Sequence, residues 1–246
     1  MLHYARGNVV HVEIAGDRDL RRLAARALGA SEGGPMLHTA HRVSFSGVQR
    51  RPGYLYVRNR AISSRVNQNF DAWPADELAT DREGYGWQTF IGRPVFVNHA
   101  NANHRRARGV NIAAALHEDF LPDGSPDTWV ELLKEVDPKA FPKLAARLLS
   151  KDPKRRIDRT SMGADVGTSV CSVPTCENVA TSEDELCQHM KREKGLRYAV
   201  LDPRTGAVRK GLIAEICKNL RFFEDSFLAE PPADPTAYLL GVEDYR

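Results

Sequence analysis

The chain has 246 residues, of which 42% are hydrophobic and 27% are charged, and its formal net charge is +3. This apolar content excludes a disordered chain, and the mild charge gives no sign of a nucleic-acid surface. Because no apolar run approaches the roughly 18 residues of a membrane span, and because the first residues lack the apolar segment of a signal peptide, we expect a cytosolic protein.

The first part of the chain predicts two strands and two helices. Residues 8–16 partly alternate, which indicates a strand, and residues 17–30 carry leucines and alanines at helical spacing. Residues 53–62 predict another strand, and residues 73–80 predict a short helix with a proline near its start. We therefore treat 1–52 as an N-terminal segment with one amphipathic helix.

The middle of the chain predicts strands around one longer helix. Three stretches are rich in β-branched and aromatic residues and predict strands: 93–99, 109–120 and 128–136. The segment 137–152 predicts the helix, because Asp137 can cap it and Pro138 suits its first position. Pro142 disturbs this pattern, since a proline beyond the first turn removes a helix hydrogen bond.

The last part of the chain contains a cysteine-rich segment between regions rich in strands. Residues 155–170 predict a strand interrupted around Ser161-Met162-Gly163, and the cysteines follow at 171–189. Residues 190–211 form a basic linker, and 212–230 are again rich in strand-forming residues. The pattern predicts an α+β chain in which strands dominate.

His99 and Ser161 form the first candidate constellation. A serine hydroxyl becomes a nucleophile when a nearby base takes its proton, and the pKa of histidine suits that task. Small residues flank Ser161, and Gly163 could present an N–H to an oxyanion. Chains with many serines and histidines contain such pairs by chance, so spacing alone leaves a structural role for His99 open.

Cys171, Cys176, Cys187 and His189 form the second constellation, with the spacing C-x4-C-x10-C-x-H. Three thiolates and one imidazole can complete a tetrahedral zinc site, which would be structural because no position stays open for water. The alternative is three unrelated buried thiols. His99 and His104 could also be ligands, but the stretch lacks the glutamate of HExxH and is rich in asparagine.

The third constellation is the acidic and aromatic segment 221–237. On a regular strand its side chains alternate between two faces, with Phe222, Glu224, Ser226 and Leu228 on one and Phe223, Asp225 and Phe227 on the other. An acid between aromatic residues is costly to bury unless it is paired. We therefore expect Glu224 or Asp225 to meet a histidine or arginine, unless the segment is an edge strand with one solvated face.

Several separated motifs together resemble one protein family. They are "VNH" at 97–99 followed by "RGV", "SMG" at 161–163, the Cys/His cluster beginning "CSV", and "EIC" followed by "FFEDSF" and "PADPTA". In this order they are similar to the capsid maturation (prohead) serine proteases of tailed bacteriophages, in the branch with a Cys/His insertion. These proteases are related in fold to herpesvirus assemblins.

The resemblance implies a fold and a set of site residues. The implied fold is α+β, with a β-barrel-like core of mostly antiparallel strands and surrounding helices. Its protease domain would span 53–237 with the insertion at 171–189, and 238–246 would be a C-terminal tail. The implied nucleophile is Ser161 and the implied base is His99. The third member would be Glu224, with His104 or Asp225 as alternatives.

The resemblance also implies partners and a location. Such proteases cleave the scaffold protein, the major capsid protein and often themselves, inside the immature phage capsid in the host cytoplasm. No cofactor is implied for catalysis, and a structural zinc ion is implied in the insertion. We expect no membrane and no specific nucleic acid as partners, and a homo-oligomer is compatible with the family. The alternative function is a non-enzymatic capsid-associated module with a structural zinc knuckle.

Overall fold

The computed structural model describes residues 45–121, 124–201 and 205–245. The chain divides into two units, residues 1–50 and 51–246. The described part of the first unit contains one short 3-10 turn, Phe45–Gly47. The strand predicted at 8–16 and the helix predicted at 17–30 lie outside the described residues.

The second unit is built mainly from strands. In chain order its strands and helices are β1 (Tyr54–Ser63), β2 (Asp71–Ala72), α1 (Ala75–Leu78), β3 (Pro94–Val97), β4 (Gly109–Phe120), β5 (Pro126–Val136), α2 (Pro142–Leu148), β6 (Arg159–Cys171), β7 (Val179–Ala180), α3 (Gln188–Arg192), β8 (Arg197–Leu201), β9 (Val208–Leu212), β10 (Glu215–Leu228) and β11 (Leu239–Tyr245). Short 3-10 helices lie at Trp87–Phe90, His104–Arg106 and Glu183–Glu185.

Nine strands form one sheet in the order β11-β1-β5-β4-β3-β10-β6-β7, with β2 also paired to β10. The pairs are antiparallel except that β10 runs parallel to β2 and to β3. Strands β8 and β9 form a separate two-stranded sheet. The segment predicted as a C-terminal tail contributes β11, which pairs with β1.

The prediction of an α+β fold with a β-barrel-like core and surrounding helices is wrong. The three α-helices of the described residues have four, seven and five residues, too few to surround the sheet. The sheet order ends at β11 and at β7, so no barrel closes. The long strands β5 and β10 are buried along most of their length and provide the core instead.

The helix predicted at 137–152 is much shorter, and its start differs from the prediction. Helix α2 begins at Pro142, while the Asp137 carboxylate accepts hydrogen bonds from the Lys139 and Ala140 N–H groups in a preceding turn. Proline lacks an N–H and has a fixed φ, so it fits the first helical position better than an interior one. Pro142 therefore starts the helix and does not disturb its interior.

Two predictions about the later strands are also wrong. Strand β6 continues through Ser161–Gly163 without interruption, because both ends of this stretch pair with β10. The predicted basic linker at 190–211 contains the end of α3 and the hairpin of β8 and β9.

The interior side of the sheet is layered. One apolar cluster includes Leu220 and Phe222, and a second includes Val57 and Phe227. Between them lies a buried polar layer made by Asn59, Lys134, Thr160 and Asp225. Alternation along β1 and along β10 places each layer, because residues two apart on a strand share a face.

An ion pair forms the centre of this polar layer. The Lys134 ammonium lies 2.9 Å from Asp225 Oδ2, and both side chains are fully buried. The Asn59 amide donates to the same carboxylate oxygen at 3.0 Å and to the Thr160 hydroxyl at 3.0 Å. Burial raises the pKa of Asp225 and lowers the pKa of Lys134, while the charge of each group opposes the shift in the other.

Replacing Lys134 by methionine is expected to destabilise the protein by about 3–5 kcal/mol, because Asp225 would be left as a buried carboxylate without its cation. Urea denaturation followed by circular dichroism would measure the free energy of unfolding. The double variant Lys134→Met/Asp225→Asn should regain part of the loss, since it removes both charges. A single variant as stable as wild type would contradict this account of the layer.

Candidate functional site

A β-bulge in β10 decides where the acidic residues of this strand point. Against β6, Phe222 pairs with Ala164, but the next registered pair is Glu224 with Gly163, so Phe223 is the extra residue. Before the bulge Phe222 faces the interior cluster, and after it Asp225 faces the interior ion pair. Glu224 therefore points to the opposite face, which we call the outer face.

The bulge corrects the predicted alternation. A regular strand would place Phe222 on one face with Glu224, whereas the structure places Phe222 on the interior side with Asp225 and Phe227. Two aromatic residues five positions apart can both enter the core only if one extra residue lies between them. The spacing of Phe222 and Phe227 is the sequence signal that could have revealed the bulge.

Gly163 allows β6 and the bulge to approach closely. A Cβ atom at Gly163 would lie 2.6 Å from the Phe223 ring and 2.9 Å from Glu224 Oε1, closer than side-chain atoms pack. The absence of a side chain at Gly163 thus leaves room for the Glu224 carboxylate.

His99 reaches the Glu224 carboxylate from the turn after β3. Its Nδ1 atom lies 2.6 Å from Glu224 Oε1. Asn98 and His99 both adopt left-handed backbone conformations, with φ of 50° and 52°. Asparagine and histidine both occur in this region more often than most other non-glycine residues, and such backbone conformations are frequent at functional positions. Hydrogen bonds from the Asn98 N–H to the Phe227 carbonyl and from the Ala229 N–H to Asn98 Oδ1 hold the turn against β10.

The Glu224 carboxylate is held from both sides. Its second oxygen, Oε2, accepts a hydrogen bond of 2.6 Å from the Ser226 hydroxyl, and both side chains are fully buried. The His99 side chain is 40% exposed. The hydrogen bond that the Glu224 carboxylate accepts from the His99 ring raises the pKa of His99 above its ordinary value of 6.5, although burial opposes the shift. A buried, oriented carboxylate thus fixes an imidazole whose other side is open.

Ser161 lies on the same outer face. In the ladder between β6 and β10 it is directly opposite Ser226, and Gly163 is opposite Glu224. Directly paired residues of antiparallel strands project their side chains to one side. Among the described residues, the Ser161 hydroxyl and His99 Nε2 have no hydrogen-bond partner. The structure therefore gathers Ser161, His99 and Glu224 around one stretch of β10.

The predicted oxyanion donor at Gly163 does not fit the register. The Thr160 N–H donates to the Ala237 carbonyl, away from β10. Main-chain groups alternate in direction along a strand, so the N–H groups of Met162 and Ala164 also point away from β10, while that of Gly163 points toward it. Met162 and Ala164 supply the main-chain donors at the open edge.

The alternative third members lie elsewhere. Asp225 faces the interior, where it contacts Lys134 and Asn59. His104 belongs to the 3-10 helix after the His99 turn, and its ring centre lies 6.5 Å from that of Phe96. Of the three candidates, Glu224 is the one that the structure brings to His99.

The Cys/His cluster is a candidate metal centre separate from this face. Cys171 ends β6, Cys187 precedes α3 and His189 lies in α3. One ligand atom of each, together with Cys176 Sγ, lies within 4.8 Å of all the others, so the four residues could hold a metal ion. His189 Nδ1 is 3.7 Å from Cys171 Sγ and 3.9 Å from Cys187 Sγ, and its Nε2 is 3.8 Å from Glu193.

The thiols of this cluster differ in their acidity. Burial raises the pKa of Cys171 to about 12. Burial also acts on Cys187, but hydrogen bonds from the Met190 N–H and from the neighbouring thiols lower its pKa below 9.0. Metal ligation requires thiolates, so a bound cation would stabilise the deprotonated form of all three cysteines.

Comparison of the chain with protein-family models, with curated proteins and with solved structures finds no significant match. In the described part of the chain, no helix is long and apolar enough to cross a membrane.

The sequence interpretation missed the roles that two residues have in this site. Ser226 received no role, although its hydroxyl orients Glu224. The signal was the spacing Glu-x-Ser after the bulge, which places both side chains on one face. Gly163 was named as an oxyanion donor, but its role in accommodating the Glu224 carboxylate was not foreseen.

Replacing Glu224 by glutamine is expected to lower the pKa of His99, because the imidazolium loses its anionic partner but stays partly buried. The pKa of His99 is higher in the folded state than its unfolded value of 6.5. The His99–Glu224 pair therefore contributes its full stabilisation at pH values below 6.5. This contribution is lost as the pH rises through the folded pKa. NMR titration of the His99 ring would measure the shift.

Ser226→Ala should lower the same pKa less, and Glu118→Gln, a charge-matched control, should not change it. An unchanged His99 titration in Glu224→Gln would refute the pairing.

Proposed function

We propose that the chain is a serine endopeptidase in which Ser161 is the nucleophile, His99 the general base and Glu224 the residue that orients His99. The observation that carries this proposal is the 2.6 Å hydrogen bond between His99 Nδ1 and the fully buried Glu224 carboxylate. A carboxylate bound to one ring nitrogen fixes the tautomer, so the other nitrogen, Nε2, is the one that accepts a proton.

The mechanism is acyl transfer. His99 Nε2 takes the proton of the Ser161 hydroxyl as its oxygen attacks the peptide carbonyl carbon, and the peptide C–N bond then breaks as His99 protonates the leaving amine. Water, activated by the same histidine, hydrolyses the acyl-enzyme. Main-chain N–H groups at the open edge of β6, those of Met162 and Ala164, would stabilise the oxyanion.

The biological role that we propose is cleavage of the phage scaffold protein, the major capsid protein and the protease itself during head maturation. This would occur in the host cytoplasm inside the immature capsid, with or without assembly of the protease into a homo-oligomer. The order of the "VNH", "SMG", "CSV" and "FFEDSF" motifs supports this role.

We further propose that the Cys/His cluster binds a structural zinc ion that takes no part in catalysis. Zinc bonds of about 2.3 Å to sulfur and 2.0 Å to nitrogen place tetrahedral ligands roughly 3.5–3.8 Å apart. Of the two sulfur-to-nitrogen distances to His189, 3.7 Å lies within that range and 3.9 Å lies slightly above it. Four protein ligands leave no coordination position for water or substrate.

A second candidate function is a non-enzymatic capsid-associated module with a structural zinc knuckle. The observation that favours it is the cluster itself, since its four ligands belong to an insertion that needs no catalytic role. This candidate requires neither Ser161 nor the His99–Glu224 pair, so the two functions can be separated by experiment.

The endopeptidase predicts that co-expression with the major capsid protein and scaffold yields fragments with wild type and none with Ser161→Ala. Intact-mass spectrometry would identify the fragments and the bonds cleaved. Ser150→Ala is the matched control and should cleave like wild type. A rate loss of roughly 10³-fold or more is expected on removal of the nucleophile.

A phosphonylating serine probe separates an inactive enzyme from a module without activity. The proposal requires labelling of Ser161 in wild type and its loss in Ser161→Ala and His99→Ala. Uncut substrates together with an unlabelled Ser161 would contradict the endopeptidase function and favour the capsid-associated module.

The zinc proposal predicts one zinc ion per chain in native mass spectrometry. Cys187→Ser should weaken zinc binding at least tenfold, since second-row oxygen replaces a thiolate. Cys217→Ala is the control, because Cys217 is buried in the apolar core away from the cluster. Chelation should lower the melting temperature of wild type, while full zinc retention by Cys187→Ser would contradict the ligand assignment.

A further inference from the structure

A cleft of about 210 Å³ opens beside Ser161. It lies between β1, the segment 67–73, β6 and the segment 232–237. Ser161 is the one member of the proposed catalytic group in its lining, because His99 and Glu224 do not border it. A group held in this cleft would therefore sit next to the bond that Ser161 attacks.

The edge of β6 that borders the cleft has free main-chain positions. The Thr160 N–H bonds the Ala237 carbonyl at one end of this edge, and Ser169 pairs with β7 at the other. Between them, no strand of the described chain pairs with this edge. The main-chain groups of Met162 and Ala164, which line the cleft, point to it, so an extended peptide can add there as a strand.

The wall of the cleft is largely apolar. Ile62, Trp73 and Met162 contribute to it, and Trp73 is 6% exposed. Among the described residues, the indole N–H of Trp73 has no hydrogen-bond partner. Leaving a buried donor unsatisfied is unfavourable, and this one suits a carbonyl of a bound peptide.

The polar side of the cleft carries an excess of negative charge. Asp234 accepts hydrogen bonds from the N–H and hydroxyl groups of Ser63 and Thr236, but no lysine or arginine of the described residues forms an ion pair with it. Asp71 shares the single ammonium of Lys194 with Glu215. A cation entering the cleft would face these carboxylates, whereas an anion would be repelled.

We propose that this cleft is the substrate subsite beside the scissile bond and that it binds a lysine or arginine side chain. This inference rests on the proposed endopeptidase function and names its substrate class. The apolar stem of such a side chain packs against Trp73 and Met162, and its cationic head reaches the carboxylates. The Trp73 ring adds an attraction for the cation. Peptides with glutamate at that position are excluded by like charge.

The test uses the full chain and a set of peptides that differ at one position among lysine, arginine, alanine and glutamate. Asn69→Lys adds a positive charge to the cleft at an exposed residue, and Gln88→Lys adds the same charge at an exposed residue that does not line it. Cleavage is measured as kcat/KM for each peptide, with Ser161→Ala as the blank. Binding of each peptide to Ser161→Ala is measured by calorimetry.

Wild type should prefer the lysine and arginine peptides over the glutamate peptide by at least about tenfold, as expected for a charge-assisted contact. Asn69→Lys should remove this preference, and Gln88→Lys should keep it. Ala233→Leu, which adds volume to the cleft wall, should slow cleavage of the long-chain peptides more than that of the alanine peptide.

The outcomes separate the subsite from the endopeptidase. One outcome is cleavage that depends on Ser161 while wild type and Asn69→Lys show the same peptide preferences. That result overturns the proposed subsite and leaves the proposed endopeptidase function intact. If no variant cleaves any peptide, calorimetry decides. The cation subsite is supported if basic peptides bind Ser161→Ala and bind more weakly to the double variant Ser161→Ala/Asn69→Lys. Absence of that binding overturns it.

Discussion

One extra residue in β10 sets the arrangement of the candidate site. Glu224 and Asp225 are adjacent, so alternation must send their side chains to opposite faces. The bulge at Phe223 selects which acid goes to which face. Without it the phase would shift by one residue, and Asp225 would be exposed to His99 while Glu224 would enter the interior. Both acids would then lose the partners that compensate their burial.

The two acids have different tasks because their surroundings differ. Asp225 is enclosed with Lys134 and Asn59 in a layer between two apolar clusters, where an unpaired charge is costly. A slip of β10 by one residue would take the Asp225 carboxylate away from Lys134 and turn Phe222 and Phe227 out of the interior clusters, so the interior opposes the slip. The interior ion pair thereby fixes the register that presents Glu224 to His99 on the other face. Stability of the layer and geometry of the site are coupled through the backbone of a single strand.

The sequence predicted the strands better than the fold. The strands at 53–62, 109–120 and 128–136 could be recognised from composition and hydrophobic pattern, and β1, β4 and β5 lie there. The fold class was wrong for two reasons: the helical patterns at 73–80 and 137–152 predicted longer helices than form, and the barrel-like core with surrounding helices came from resemblance. Helix α2 illustrates the first reason. A proline at either 138 or 142 suits the first position of a helix, and the contacts of Leu144 and Leu148 with the core favour the start at Pro142.

His99, Ser161 and Glu224 were named from the sequence, but the way in which the structure brings them together was not. His99 and Glu224 are 125 positions apart, and their hydrogen bond depends on the parallel pairing of β3 with β10, which no local pattern encodes. The acid that faces His99 depends on the bulge. Alternation alone places Phe222 on the same face as Glu224, whereas the structure places them on opposite faces. Gly163 could be recognised as a place of close approach, but the group that approaches it was identified only from the cross-strand register.

The Cys/His insertion is connected to the cleft through a second ion-pair network. Lys194 follows α3, which carries His189, and its ammonium contacts Asp71 in β2 and Glu215 at the start of β10. Burial opposes the charge of Lys194, but the hydrogen bonds that its ammonium donates to the two carboxylates raise its pKa and keep it cationic. Asp71 lines the cleft beside Ser161. Lys194 therefore links the segment that follows the cluster to Asp71 in the cleft wall, and its ammonium partly neutralises the negative charge of that wall.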